Sequence, residues 1–423
     1  MNTKLSISKS FLVVFAALGL PVLSLSCLNA QVIASVKKDD LKGIDTSVNY
    51  IVKYKIKAIN TLTYSTEDST LNNAKLSSQA KTIYDRKGNL VENISENWAG
   101  KTMTKSVAKF DAKDNLIEST TYDSTGKVRT SVKYSYDDAN RLTKSSSTSS
   151  LGMYTMKPED DAKTVVYSDI RKYDASGNLI ESITDSSGVV IYKTVSQFDN
   201  KNQLISSSNY DHNNLQSTIT NVYDKKGGYI QTTEYYWSAR KTQCSPNKNR
   251  TVSKFDSKGN LLSSVSTSDE NGAISTQKTT NEYKFSGDKL LSIKTISEDN
   301  AEGFSSKSVS SQTYKYDKNG NEIESVMKYG GGGSSTYTTQ TQYNSNNLMV
   351  KQTVYNGTCM DKPATISTYT YYPDGKTLKE TSTETFDYLS KSVEKYDERE
   401  LVTESIYKSD YSSTRVVYDY EYW

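Results

Sequence analysis

The chain has 423 residues, 52 basic and 49 acidic side chains, a formal charge of +3 and 33 tyrosines. So even a balance gives no electrostatic warrant for nucleic acid or an anionic membrane surface as a partner. Three cysteines, Cys27, Cys244 and Cys359, are too few for a disulfide-built scaffold, and the single histidine, His212, leaves no Cys/His metal site.

Residues 1–30 read as an export signal. Lys4 and Lys9 precede an apolar run from Phe11 to Leu25, and Leu28-Asn29-Ala30 fits a small-residue cleavage site before Gln31. Cys27 after Ser26 offers a rival reading, a lipidated first residue, but Ser24 stands where a lipobox wants an aliphatic side chain. No later apolar stretch approaches the roughly 20 residues of a spanning helix. The expected location is therefore outside the cytoplasm: periplasmic, cell-surface or secreted. Residues 31–80 lack the element that dominates the rest and read as an N-terminal cap.

From residue 81 to 423 one element recurs. An aromatic residue, an aspartate, a Gly/Asn-rich turn and a leucine read YDRKGNL at Tyr84, FDAKDNL at Phe110, YDDANRL at Tyr136 and YDASGNL at Tyr173. FDNKNQL at Phe198 and FDSKGNL at Phe255 follow, with looser copies at Tyr223, Phe285, Tyr316, Tyr343, Tyr372 and Tyr396. Twelve anchors at intervals of 24 to 37 residues define a repeat array.

The unit from Tyr173 to Asp199 shows what each repeat is. Asp174 can accept hydrogen bonds from backbone amides ahead of it, and Gly177 supplies the positive φ that ends a type I turn with a bulge. Leu179 to Ile183 then reads as a strand, Asp185 to Gly188 as a second turn, and Val189 to Phe198 as the returning strand. In the strand from Val128 to Tyr136, Val128, Thr130, Val132, Tyr134 and Tyr136 share one side, which is expected to pack, and Arg129, Ser131, Lys133 and Ser135 share the wet one. Helix signals are nearly absent. The fold class is all-β, a repeat array of antiparallel hairpins in an extended, twisted or spiralling sheet, whose end units, including Arg415 to Trp423, are expected to cap it.

The Tyr-Asp turns are uniform, whereas the opposite turns vary: Glu96 to Lys101, Ser145 to Asp161, Tyr235 to Arg250, Asn300 to Phe304, Tyr329 to Ser335 and Tyr355 to Pro363. Insertions along one edge of a repeat array commonly form its binding surface. Trp98, Tyr235, Tyr236 and Trp237 fall in this set and are the candidate binding aromatics, able to stack on sugar rings or peptide side chains. His212 sits in a turn without visible catalytic partners. Asp317-Lys318-Asn319-Gly320-Asn321 resembles the start of a calcium loop but lacks the bidentate glutamate, so turn capping is the better reading. Nothing selects Asp160-Asp161 or any other acidic pair for glycoside cleavage. No enzyme, cofactor or metal is expected.

The pairing of Y-D-x-x-G-N-L with D-x-x-G about a dozen residues later, best seen from Tyr173 to Asp199 and at Tyr136-Asp137 with Arg141-Leu142, resembles the bacterial YD-repeat, or Rhs-type, proteins. The resemblance covers roughly Tyr84 to Asp397 and implies extended β-sheets that can spiral into hollow shells. No C-terminal effector follows the last anchor. The resulting expectation is a non-enzymatic exported repeat protein whose displayed loops bind a glycan or protein of the envelope or a host surface. The alternatives are an outer-membrane β-barrel, suggested by ten-residue alternating strands, and a hydrolase on a propeller-like or spiral sheet.

Overall fold

The computed structural model describes residues 46–423 apart from 68–70, 98, 151–163, 238–246, 271–272, 331–334, 358–359, 361 and 387–388. Residues 1–30, read above as an export signal, with Cys27, and Trp98, Asp160-Asp161, Cys244 and Cys359 lie outside the described residues. Among the described residues, one short helix, α1 (Thr46–Lys53), precedes twenty-six strands.

The first strands are β1 (Ile56–Thr66), β2 (Lys75–Tyr84), β3 (Leu90–Asn97), β4 (Thr102–Phe110), β5 (Leu116–Tyr122), β6 (Val128–Tyr136), β7 (Leu142–Ser150), β8 (Thr164–Tyr173) and β9 (Leu179–Ser186). Then come β10 (Val189–Phe198), β11 (Leu204–Asp211), β12 (Asn214–Tyr223), β13 (Tyr229–Trp237), β14 (Asn247–Phe255), β15 (Leu261–Glu270), β16 (Ala273–Ser286), β17 (Lys289–Ala301) and β18 (Phe304–Tyr316). The last are β19 (Glu322–Tyr329), β20 (Ser335–Tyr343), β21 (Met349–Asn356), β22 (Thr365–Tyr371), β23 (Leu378–Thr385), β24 (Ser390–Tyr396), β25 (Val402–Lys408) and β26 (Ser413–Tyr422). The richness in Thr, Ser, Tyr and Val suits a pleated backbone and explains the near absence of helix.

Each strand pairs antiparallel with the next, and β1 pairs with β26 from Ile56 opposite Tyr422 to Thr66 opposite Ser413. The sheet is thus a closed up-and-down barrel, which resolves what the sequence left open between an open and a closed array. With 26 strands about 4.8 Å apart and tilted about 40°, its wall has a perimeter on the order of 160 Å. No strand packs broadly on any but its ladder neighbours, so the wall is one layer thick.

Two expectations need correcting. Ile56–Thr66 and Lys75–Tyr84 are wall strands, not a separate cap, and the boundary expected at residue 80 falls inside β2. Arg415 to Trp423 likewise caps nothing, because β26 is the strand that meets β1; closing a sheet removes its edges more completely than caps do.

Nor is the tyrosine side a dry core. Tracing the register around the ring puts Ile59, Thr82, Ser106, Val132, Tyr134, Ser207, Thr251, Ser325 and Tyr420 on one face, and Lys81, Lys105, Lys133, Glu181, Arg250, Glu324 and Glu404 on the other. The first face is mostly Ser and Thr, whose hydroxyls bond across strands, as in Ser196 to Ser207 (3.2 Å), Ser253 with Ser264 (3.0 Å) and Ser367 with Thr383 (2.9 Å). The second carries cross-strand ion pairs such as Lys105–Glu92 (3.0 Å), Lys109–Glu118 (2.7 Å) and Lys315–Glu324 (2.6 Å), around apolar pairs such as Ile170 with Ile183 and Val252 with Val265. A single closed layer has nothing to pack against, which is why both faces are largely half-buried.

A packed apolar cluster lies where β1 meets β26. Ile51 of α1, Ile56 and Leu401 are buried together, with Tyr50, Tyr54, Ile59, Tyr84 and Tyr420 against them. The Trp423 amide donates to the Lys55 carbonyl (2.9 Å), and Lys57 and Arg86 sit over the Trp423 ring.

Candidate binding rim

Hairpin turns alternate between the two ends of the barrel, and all twelve anchors fall on one end. At the Tyr173 corner, Asp174 Oδ1 accepts the Asn178 amide (2.8 Å), its Oδ2 accepts Asn178 Nδ2 (2.8 Å), and the Gly177 amide donates to the Asp174 carbonyl. Gly177 has φ +91°, reached cheaply only without a Cβ. The same arrangement recurs at Asp85, Asp111, Asp256 and Asp317. The Asn side chains hold the carboxyls of Asp111, Asp174 and Asp317 below the usual carboxylate range. Adjacent corners are tied together: Asn115 Nδ2 donates to Asn140 Oδ1 (2.6 Å) and Asn178 Nδ2 to Asn202 Oδ1 (3.0 Å).

Tyrosine does more here than cover area. The last ladder pair between β5 and β6 is Glu118 with Lys133; Tyr136, three residues on, reaches back so that its hydroxyl donates to the Leu116 carbonyl (2.9 Å). Tyr173 does this to Leu142, Tyr223 to Leu204, Tyr316 to Leu290 and Tyr343 to Glu322. In the Phe285 and Tyr372 repeats the bond comes instead from Tyr283 and Tyr371, so the structural anchors there differ from those the motif suggests. Phe110, Phe198 and Phe255 keep the ring without the hydroxyl. Eleven of the twelve corners, all but that of Tyr223, also carry a register shift at or beside the anchor, a bulge that bends the wall.

The opposite end is the variable rim. Tyr235 is 47% exposed on the hydroxyl face, whereas Tyr236 points to the charged face, donates to Glu234 Oε2 (2.7 Å) and lies under Lys248. Trp237 continues β13 opposite Asn247. Tyr235 and Tyr236 therefore do not share one platform, because neighbours along a strand alternate faces. Parts of the sequence-defined loops are also strand, including Ser145 to Ser150 and Asn247 to Arg250.

What the motif reading missed is a set of exposed apolar tips on this rim: Val189, Ile274, Phe304, Leu389 and Tyr411, the last 85% exposed. The available signal was an apolar residue beside a turn, as in Gly303-Phe304. His212 occupies a turn with φ +46° and its Nδ1 lies 2.7 Å from Asp211 Oδ1. Asp317 Oδ1 accepts the Asn319 and Asn321 amides and Oδ2 accepts Asn321 Nδ2, so its oxygens serve the turn.

No protein-family model and no curated protein matches the chain. Among solved structures, the TcdB2-TccC3-TEV crystal structure is similar at 11% identity and a TM-score of 0.27, over 79% of this chain and 21% of that one. A porin-like protein from Bacteroides uniformis is similar at 15% identity and a TM-score of 0.22, over 62% of this chain and 94% of that one. The chain thus spans about a fifth of the first. Both likenesses are distant, and the architecture rests on the chain's own strand pairing.

Proposed function

We propose that the mature chain is an exported, non-enzymatic hollow β-barrel that stands in water and binds a glycan or protein of the envelope or a host surface through its variable rim. The supporting observation is the make-up of the wall. A barrel side in contact with lipid needs an apolar band roughly 25 Å tall. Here one face is hydroxyl-rich, and the other repeats Lys–Glu pairs between single apolar pairs that Lys133, Lys193 and Lys278 interrupt. Among the described residues no helix is long and apolar enough to cross a membrane.

Closure favours a second reading, a barrel spanning an outer membrane. An even number of antiparallel strands, short turns at one end and longer connections at the other are its ordinary features. An envelope or exported location suits both readings. Expression of residues 31–423 without detergent separates them. A soluble, monodisperse β-rich product supports the aqueous barrel; material that disperses only in detergent and conducts ions across planar bilayers supports the spanning one. Trimming residues 238–246, between β13 and β14, is expected to abolish capture on glycan arrays or by envelope extracts, and unchanged capture would remove the rim from the mechanism.

A further inference from the structure

Closing 26 strands with turns at alternate ends takes thirteen connections on each rim, and the anchored rim has twelve, because β1 begins there at Ile56 and β26 ends there at Tyr422. The thirteenth place is nonetheless built like a corner. At the Tyr173 corner the Asp174 amide donates to the Asn178 carbonyl (2.9 Å), with Gly177 at positive φ between them. At the seam the Trp423 amide makes the equivalent bond to the Lys55 carbonyl (2.9 Å), and Lys55 itself has φ +54°. Tyr420 supplies the hydroxyl, donating to the carbonyl of Val402 (2.7 Å), the first residue of β25, as Tyr283 does to that of Leu261 (3.0 Å), the first of β15. A register shift between Ile56 and Ala58 completes the likeness.

What differs is that no peptide joins Trp423 to Lys55, and α1 with its flanking residues makes the links that corners make to their neighbours. Along the rim such links run from one corner to the next, as from Lys87 Nζ to Asp114 Oδ1 (2.7 Å) and from the Tyr372 hydroxyl to the Tyr396 carbonyl (2.8 Å). At the seam the Tyr50 hydroxyl of α1 donates to Glu400 Oε2 (3.1 Å) of the preceding corner, whose Arg399 sits over the Tyr54 and Tyr422 rings. Arg86 of the following corner sits over Trp423. Ile51 of α1 is buried with Ile56 and Leu401, so one apolar contact holds the helix both to β1 and to the corner beside β26. Every other neighbouring pair of strands is joined by a turn at one end, which keeps parted strands close; β1 and β26 have only these contacts.

We propose that α1 and Trp423 form a non-covalent thirteenth corner, a clasp whose release opens the barrel along the β1–β26 seam while the twelve covalent corners stay closed. The wall thereby carries one releasable lateral opening. Hydrogen exchange of residues 31–423, read by mass spectrometry in whichever of buffer or detergent yields the monodisperse barrel, tests it, because native-state exchange reports the opening equilibrium. Ile51→Asp puts a carboxylate into the buried contact and is expected to speed exchange in β1 and β26 about 100-fold, with β12 and β13 unchanged. Tyr50→Phe removes only the bond to Glu400 and is expected to speed the same two strands about 5-fold. Where Ile51→Asp fails to fold, Tyr50→Phe decides. The control is Tyr136→Phe, which takes a tyrosine hydroxyl from a covalent corner and is expected to leave β1 and β26 as they were. Exchange that rises only within α1, or evenly around the ring, overturns the proposal. So does a seam no more sensitive to Tyr50→Phe than to Tyr136→Phe.

Discussion

The two rims are made by the same hairpins, yet one is fixed by its own chemistry and the other is left to vary. At most corners of the anchored rim an Asp carboxylate accepts the turn amides and a Gly or Asn stands at positive φ, with Asn344 as the cap at one and Asp114 and Glu400 at positive φ in two, and several corners bond to the next through Asn. On the variable rim, turn length and composition change from hairpin to hairpin, and large apolar side chains such as Phe304 and Tyr411 stand in solvent. The anchored rim thus sets register and curvature at nearly every corner, whereas on the other rim side-chain caps and bulges occur at only some hairpins, as at Asn97 and Asp123.

The sharpest way to break that contrast is acid. The carboxyls of Asp111, Asp137, Asp174, Asp317 and Asp374 are lowered by hydrogen bonds from Asn, Arg or Thr partners and neighbouring amides. A lowered folded value means that their contribution is complete above the unfolded carboxylate range, near pH 3.9, and is lost as pH falls through the folded values. Circular dichroism should show a barrel intact at pH 5 that unfolds cooperatively below about pH 4. At the other extreme, burial pushes Tyr314 and Tyr396 up to about 12. Their contribution is complete below about pH 10 and is lost as pH climbs through about 12, so tyrosinate absorbance and unfolding should rise together there.

Among single substitutions, Tyr136→Ala should cost about 3 kcal/mol in urea unfolding, while Tyr411→Ala on the variable rim stays within about 0.5 kcal/mol. Equal costs would erase the distinction between the rims. Asp174→Ala should lower the urea midpoint by less than Tyr136→Ala does, by leaving the corner amides without their acceptor. Glu322 stands where most corners carry Leu, and burial raises its carboxyl above the ordinary range. Glu322→Leu keeps the backbone carbonyl that Tyr343 uses, and should stabilise by about 1 kcal/mol at pH 7, with the gain shrinking as acid protonates the wild-type residue. On the anchored rim the smallest is Tyr136→Phe, a loss of about 1 kcal/mol or less, since Phe110, Phe198 and Phe255 already do without the hydroxyl.

Strand, turn and repeat were legible because each is written locally: alternation in Val128 to Tyr136, and Asp174 with Gly177 at a corner. The twelve anchors mark twelve successive corners of one rim, with the structural ring displaced to Tyr283 and Tyr371 in two. Closure was not legible, since pairing Ile56 with Tyr422 depends on twist summed around the whole ring rather than on any local pattern. The bulges at the anchors contribute to that twist and have no sequence mark beyond the motif itself. Among the candidate aromatics, adjacent Tyr235 and Tyr236 point to opposite faces, as neighbours along any strand do.

The pairing of β1 with β26 carries a consequence for biogenesis. Asn60 bonds Glu421 across 361 positions of sequence, and at roughly 5–20 residues per second of synthesis those partners are born on the order of 20–70 s apart. Until then the nascent meander has two raw margins, and every hairpin added lengthens a ribbon hungry for mispairing. Keeping those margins from pairing wrongly until residue 421 has emerged is the problem that folding of this ring has to solve.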